Sequence, residues 1–166
     1  MGLKYTLKCT KCTYRLSVIQ GIGMMYSPNS VFEATWDYSK ASDLVEPVKG
    51  KPLLEGLVNN PSISKQALAL LAEGAVPQDD YDHELYACPT CHHLANHFHF
   101  RLKTKSGDYE PNYVCSFCHA LLMRASDEEV KGGLKIVYKN DSSTLWQCPK
   151  CGNDKLTCGN TFSNWD

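Results

Sequence analysis

Cys88-Pro89-Thr90-Cys91-His92 and Cys115-Ser116-Phe117-Cys118-His119, with 23 residues between Cys91 and Cys115, decide how this chain is read. Two residues between two thiolates let a tight turn aim both sulfurs at one ion, while amides of the turn point at the sulfurs. Two such turns close a tetrahedral four-thiolate site. The same spacing recurs at Cys9/Cys12 and Cys148/Cys151, so eight of the nine cysteines form four CxxC pairs. Four turns make two sites, and the expected cofactor is zinc, two ions per chain.

The pairing of the turns follows from loop closure. Residues separating successive turns number 75, 23 and 29, and the shortest loop costs least to close. This favours Cys88, Cys91, Cys115 and Cys118 as one site, leaving Cys9, Cys12, Cys148 and Cys151 to join the two ends of the chain. The stretches Tyr5–Cys12 and Thr144–Cys151 both place a short strand before the turn, which supports this nested arrangement. The sequential pairing, first turn with second and third with fourth, is the alternative.

His92 and His119 each follow a CxxC directly, the spacing of c-type haem attachment. Haem would account for two pairs, whereas zinc accounts for all four. Iron shares the same thiolate ligands and stays open as an alternative to zinc. Cys158, the odd cysteine, is expected to pack as a small hydrophobe.

The 166-residue chain carries 17 Lys+Arg against 18 Asp+Glu, a balance that excludes a strongly basic histone-like binder, and its 43% hydrophobic content excludes a disordered tail. No run approaches the roughly 18 apolar residues of a membrane span, and the first residues lack a signal-peptide core, so a cytoplasmic location and no membrane partner are expected. In a reducing compartment, closely spaced cysteines read as metal ligands.

Residues 1–20 are expected to form strand, turn and strand, and the segment carries Lys4, Lys8, Lys11 and Arg15 without an acid. Gly21-Ile22-Gly23 is a backbone bend rather than a phosphate loop. Residues 24–61 read as irregular with a short helix at Pro52–Val58, followed by a helix from an N-cap at Ser62 to about Glu73, stopped by Gly74. Asp79-Asp80-Tyr81-Asp82 reads as a solvated linker into the next turn.

From Asn96 the pattern alternates strictly. Phe98, Phe100, Leu102 and Thr104 would face a core, and His97, His99, Arg101, Lys103 and Lys105 would form a basic stripe able to hold phosphate or an acidic partner. Ser106-Gly107-Asp108 is the expected hairpin turn, and Leu134–Tyr138 a further strand after Gly132-Gly133.

With Cys88-Pro89-Thr90-Cys91, Phe100–Asp108, Glu110-Pro111 and Cys115-Ser116-Phe117-Cys118, this stretch resembles the zinc ribbon of transcript-cleavage elongation factors and related RNA polymerase subunits. That resemblance implies a three-stranded antiparallel sheet around one zinc, with hairpin acids, here Asp108 and Glu110, positioning a catalytic metal in the polymerase. The whole chain is also similar to small uncharacterised bacterial proteins with several CxxC turns around a helical insert, which implies architecture and no activity. The expected fold is therefore small α+β: two zinc-ribbon-like antiparallel β units with a short helical insert. Residues 1–23 and 133–166 would form a discontinuous terminal unit, 24–87 the insert, and 88–132 the central ribbon.

Three functions fit. The first is a non-enzymatic zinc-binding adaptor or regulatory module for a protein or nucleic-acid partner. The second is a polymerase-associated factor acting through Asp108 and Glu110, and the third a thiol redox or metal-handling protein. A hydrolase fits least, since a closed four-thiolate site has no open coordination position and the chain has no HExxH helix or phosphate loop.

Overall fold

The computed structural model describes residues 2–23, 26–33, 52–130, 133–140 and 142–165, with backbone alone for 129–130 and 158–165. In chain order the elements are β1 (Gly2–Cys9), β2 (Arg15–Gln20), α1 (Pro28–Phe32), α2 (Leu54–Val58), α3 (Pro61–Ala72), β3 (Val76–Pro77), β4 (Asp82–Ala87), β5 (Leu94–His99), β6 (Leu102–Thr104), β7 (Gly107–Tyr109), β8 (Met123–Val130), β9 (Gly133–Tyr138), β10 (Ser143–Leu145) and β11 (Leu156–Trp165). This is a small α+β fold of three antiparallel sheets, ordered β11-β1-β2, β10-β9-β8-β4-β5 and β3-β6-β7. Among the described residues no helix is long and apolar enough to cross a membrane.

Strand β1 forms because Tyr5, Leu7 and Cys9 alternate with Lys4, Thr6 and Lys8, so one face is buried and the other wet. The second half of strand β4, from Leu85, is buried on both faces. Its Leu85 and Ala87 enter a core with Tyr5, Leu7, Val18, Leu134, Ile136 and Trp146, while Tyr86 and the following Cys88 enter a second core with Phe98, Phe100, Leu102 and the helices. Asn96 on β5 ties the terminal sheet to this strand. Its side-chain amide donates to the carbonyls of Ile19 at 2.7 Å and Glu84 at 2.9 Å, and its oxygen accepts from the Ile19 amide at 3.3 Å.

Helix α3 begins earlier than expected, and its cap is Asn60 rather than Ser62. The Asn60 side chain accepts from the amides of Ser62 and Ile63, both at 3.2 Å. Pro61 explains the shift: it has no N–H to leave unpaired and its fixed φ suits the first helical position. Helix α1, in a region expected to be irregular, is capped by Ser27, which accepts from the Ser30 amide.

The alternation expected from Asn96 onward breaks at Phe100 and Arg101. There the chain leaves β4 and joins β3 and β7, so Phe98, His99 and Phe100 are all fully buried in succession. The hairpin reverses at Lys105-Ser106, with Thr104 opposite Gly107. Strands β9 and β10, grouped by the sequence with the terminal unit, lie in the five-stranded sheet because β9 pairs with the unexpected strand β8. Asp82, expected in a solvated linker, opens β4.

Candidate metal centres

The four CxxC turns sit at chain reversals, and each uses the same backbone hydrogen bond. The amide of the first cysteine donates to the carbonyl five residues on: Cys9 to Tyr14 at 3.1 Å, Cys88 to His93, Cys115 to Ala120 and Cys148 to Asn153, each at 2.8 Å. This closes a loop that brings both thiols of a pair together. Further amides aim at the sulfurs, from Lys11 to Cys9 at 3.5 Å, Tyr14 to Cys12 at 3.4 Å and Cys91 to Cys88 at 3.4 Å. Amide N–H groups stabilise a thiolate as they would any anion.

Two groups of four sulfurs result, Cys9, Cys12, Cys148 and Cys151 in one and Cys88, Cys91, Cys115 and Cys118 in the other, each with all sulfurs within 4.8 Å of one another. The closest separations across turns are Cys9–Cys151 at 3.7 Å, Cys12–Cys148 at 3.5 Å, Cys88–Cys118 at 3.4 Å and Cys91–Cys115 at 3.5 Å. All eight cysteines are free thiols. A tetrahedron with metal–sulfur bonds of about 2.3 Å has edges of about 3.8 Å, so each group has the size that can hold a metal ion. In both sites the first cysteine of every pair is buried in a core, while the second is half-buried at Cys12 and Cys91 and exposed at Cys118 and Cys151. Cys9 and Cys148 belong to one core, Cys88 and Cys115 to the other, so each core is closed at one end by a site.

Electrostatics agree with the donor geometry. Burial acts to raise the Cys9 and Cys88 thiols, and the turn amides outweigh it, holding them at about 6 and about 7. Burial and the neighbouring sulfurs push Cys91 and Cys148 up to about 12. Four thiolates this close repel one another, and a bound cation is what allows all four to lose their protons.

The histidines that suggested haem have a backbone explanation. His92 and His119 adopt left-handed conformations with φ of 59° and 60°, and Gly152, at the same position after Cys151, has φ of 70°. Their amides close the turns, His92 donating to Cys88 at 3.1 Å, His119 to Cys115 at 3.0 Å and Gly152 to Cys148 at 2.8 Å. Histidine is among the non-glycine residues enriched in that region. Asn153 braces the terminal site, its side-chain amide reaching Thr10 at 3.1 Å, the Lys155 carbonyl at 3.0 Å and the Cys9 sulfur at 3.7 Å. Cys158 pairs by backbone with Leu7, and its side chain lies outside the described residues.

The residues expected to line one basic stripe are scattered. His97 stacks flat on Tyr113 at 4.0 Å, and burial holds its imidazole down at about 4. His99 is fully buried, with Nδ1 against the Tyr86 hydroxyl at 3.2 Å and Nε2 against Arg124 at 2.8 Å. Arg101 pairs with Asp80 and stands 3.5 Å from Glu110. Lys103, Lys105 and Asp108 are exposed on the β6–β7 hairpin, with Lys103 opposite Asp108. Among the described residues the two cysteine groups are the sets of three or more His, Cys, Asp or Glu close enough to hold a metal, so His97 and His99 do not form one.

Sequence reasoning missed a polar network around His99. Arg124, on the unexpected β8, pairs with Glu84 and Asp80. Burial alone would raise Asp80, but hydrogen bonds from Arg101 and Arg124 hold its carboxyl well below the usual range. Burial and the neighbouring Glu84 carboxylate push Asp82 up to about 7. The run Asp79-Asp80-Tyr81-Asp82 was the available signal, but its arginine partners lie more than twenty positions away in sequence.

In comparisons with known proteins, no family model, no curated protein and no solved structure matches the chain.

Proposed function

We propose that this protein is a non-enzymatic zinc-binding adaptor or regulatory module, built around two structural four-cysteine zinc sites and presenting a surface to a macromolecular partner. The observation that supports it is the clustering of two sets of four sulfurs, each within 4.8 Å of one another and each carried on the same hydrogen-bonded turn. Cys9, Cys12, Cys148 and Cys151 hold one zinc, and Cys88, Cys91, Cys115 and Cys118 the other. Each ion uses all four positions for protein ligands, so its chemistry is to neutralise thiolates and fasten turns, not to activate substrate.

Zinc is favoured because closed four-thiolate sites at turn-rich corners of small β folds are its structural use, and binding energy there is folding energy. Serine at an exposed ligand tests this without carving a core cavity. Cys118→Ser and Cys151→Ser should each lower zinc from two to one per chain and loosen the core that site closes, read as early hydrogen exchange. Two zinc ions in both variants would refute the assignment, and tightly bound coloured iron would replace the metal.

A further inference from the structure

The outer face of the β11-β1-β2 sheet has a composition that neither zinc site requires. Directly paired residues of an antiparallel sheet share a face. The register sets Lys4 opposite Ile19, Thr6 opposite Ser17, and Lys8 between Arg15 and Thr157. Lys4, Arg15, Ser17 and Thr157 are exposed, and Thr6, Lys8 and Ile19 half-buried, while the alternate residues Tyr5, Leu7, Cys9 and Val18 are buried in the core. Among the described side chains the outward set is thus cations and hydroxyls, with Ile19 as its apolar member; on β11 the register also places Gly159, Ser163 and Trp165 at positions of this face.

Two details point to an anionic partner. Lys8 and Arg15 are like charges directly across the ladder, an arrangement that destabilises a sheet. Among the described residues no carboxylate lies within 4.0 Å of Lys4, Lys8 or Arg15, whereas Arg101, Arg124 and Lys135 are all ion-paired. The field also extends past the sheet. Lys11 lies in the first cysteine turn. Lys150 is held beside that turn by its hydrogen bond to Thr13 at 2.7 Å, and Lys155 is held there by its carbonyl, which accepts from the Thr10 amide at 3.2 Å. Asp154 is the single carboxylic acid in these two segments, 2–20 and 148–157, and the four thiolates of the terminal site with one zinc add about −2.

We propose that this face docks the sugar-phosphate backbone of a nucleic acid, without reading its sequence. Lysine, arginine, serine and threonine are the side chains that contact phosphate oxygens, and such contacts position without specifying. Lys4 and Lys8 stand about 13 Å apart at about 3.3 Å per residue, far enough for each to meet a separate phosphate. A protein partner is disfavoured because interfaces rely on apolar and aromatic anchors. Among the described side chains the exposed large apolar ones, Val76, Val114, Phe117, Leu121 and Leu145, all lie off this face. The proposal rests on the zinc reading, since the Cys9 turn that joins β1 to β2 closes on the Cys148 turn through the terminal site.

The test uses full-length protein with its zinc content measured, and fluorescence anisotropy of a labelled single-stranded oligonucleotide of about 20 nucleotides. Three phosphate contacts predict a slope of log affinity against log salt of about −2, an affinity loss of about twentyfold between about 50 and 200 mM salt. Lys4→Glu/Lys8→Glu/Arg15→Glu should abolish binding while keeping two zinc ions. The neutral variant Lys4→Gln/Lys8→Gln/Arg15→Gln should bring the slope near zero, and it serves if the reversed charges disturb folding.

No binding by the zinc-loaded protein overturns the proposal and leaves the zinc reading standing. Unchanged affinity and slope in the neutral variant also overturn it, as does loss of binding on Lys103→Glu/Lys105→Glu instead. Binding to phosphatidylserine vesicles with none to the oligonucleotide overturns it in favour of a lipid surface. A protein that binds the oligonucleotide with no zinc sinks the zinc reading alone.

Discussion

Replacing His92 and His119 by glycine should stabilise the protein, although both follow cysteines and histidine is a familiar metal ligand. Their φ angles of 59° and 60° lie in the left-handed region, which costs a residue with a Cβ about 1–2 kcal/mol. Glycine removes that cost but loosens the unfolded chain, which returns about 0.4–1 kcal/mol. The net gain is therefore about 0.5–1 kcal/mol per site, or about 1–4 °C in melting temperature for a chain of this size. Gly152 supplies the reciprocal experiment. At φ of 70° an added Cβ would meet nothing within 4 Å, so Gly152→Ala isolates backbone strain and should cost about 1 kcal/mol. Thr13, at the same position after Cys12, is not left-handed, and Thr13→Gly should gain nothing and lose several tenths of a kcal/mol. Melting at fixed free zinc, with metal content measured on each variant, reads all four. Destabilisation or metal loss in His92→Gly or His119→Gly would refute the backbone explanation and return the imidazoles to a ligand role.

Asn96→Ala strips the two Ile19 backbone groups and the Glu84 carbonyl of their partner and should cost about 1–3 kcal/mol in urea unfolding; a cost below a few tenths would show the terminal sheet does not depend on it. Asp82 titrates near 7 when folded and near its ordinary 3.8 when unfolded, so it disfavours folding increasingly as pH rises from about 4 to 7. Asp82→Asn should accordingly stabilise the protein at pH 8 and have little effect at pH 3, and an equal effect at both would contradict the shift. His97, held at about 4 by burial, works oppositely: the folded state resists its protonation, so stability falls as pH drops from 6.5 to 4. His97→Phe should flatten that loss, measured as unfolding free energy across the range.

What the sequence disclosed was what short-range chemistry determines. The CxxC spacing located all four turns, and loop closure favoured the grouping of sulfurs that the fold brings together. The β1–β2 hairpin was legible because its burial alternates, and the end of α3 because Gly74 follows with φ of 91°. Strand β8 was hidden: Met-Arg-Ala-Ser-Asp-Glu-Glu-Val has weak intrinsic strand preference, and it is a strand because β4 and β9 pair on either side of it. Its Arg124 partners lie forty and more positions earlier, a distance over which sequence pattern carries no signal. The stripe from His97 to Lys105 misled for the same reason. Period-2 alternation is a property of one strand in one sheet, and here the chain changes sheets at Phe100, turning His99 inward beside Phe98. The six cations around the terminal site were visible as residues, but their common placement depends on the register of β1 with β2 and on the Lys150–Thr13 contact.

Native mass spectrometry with elemental analysis of the purified protein counts the metal at both cysteine sites at once. Two zinc ions per chain are expected, falling to one in Cys118→Ser and to one in Cys151→Ser, and to none with both changes. One zinc or none in the parent protein, stoichiometric iron, or a covalently attached haem would contradict the account.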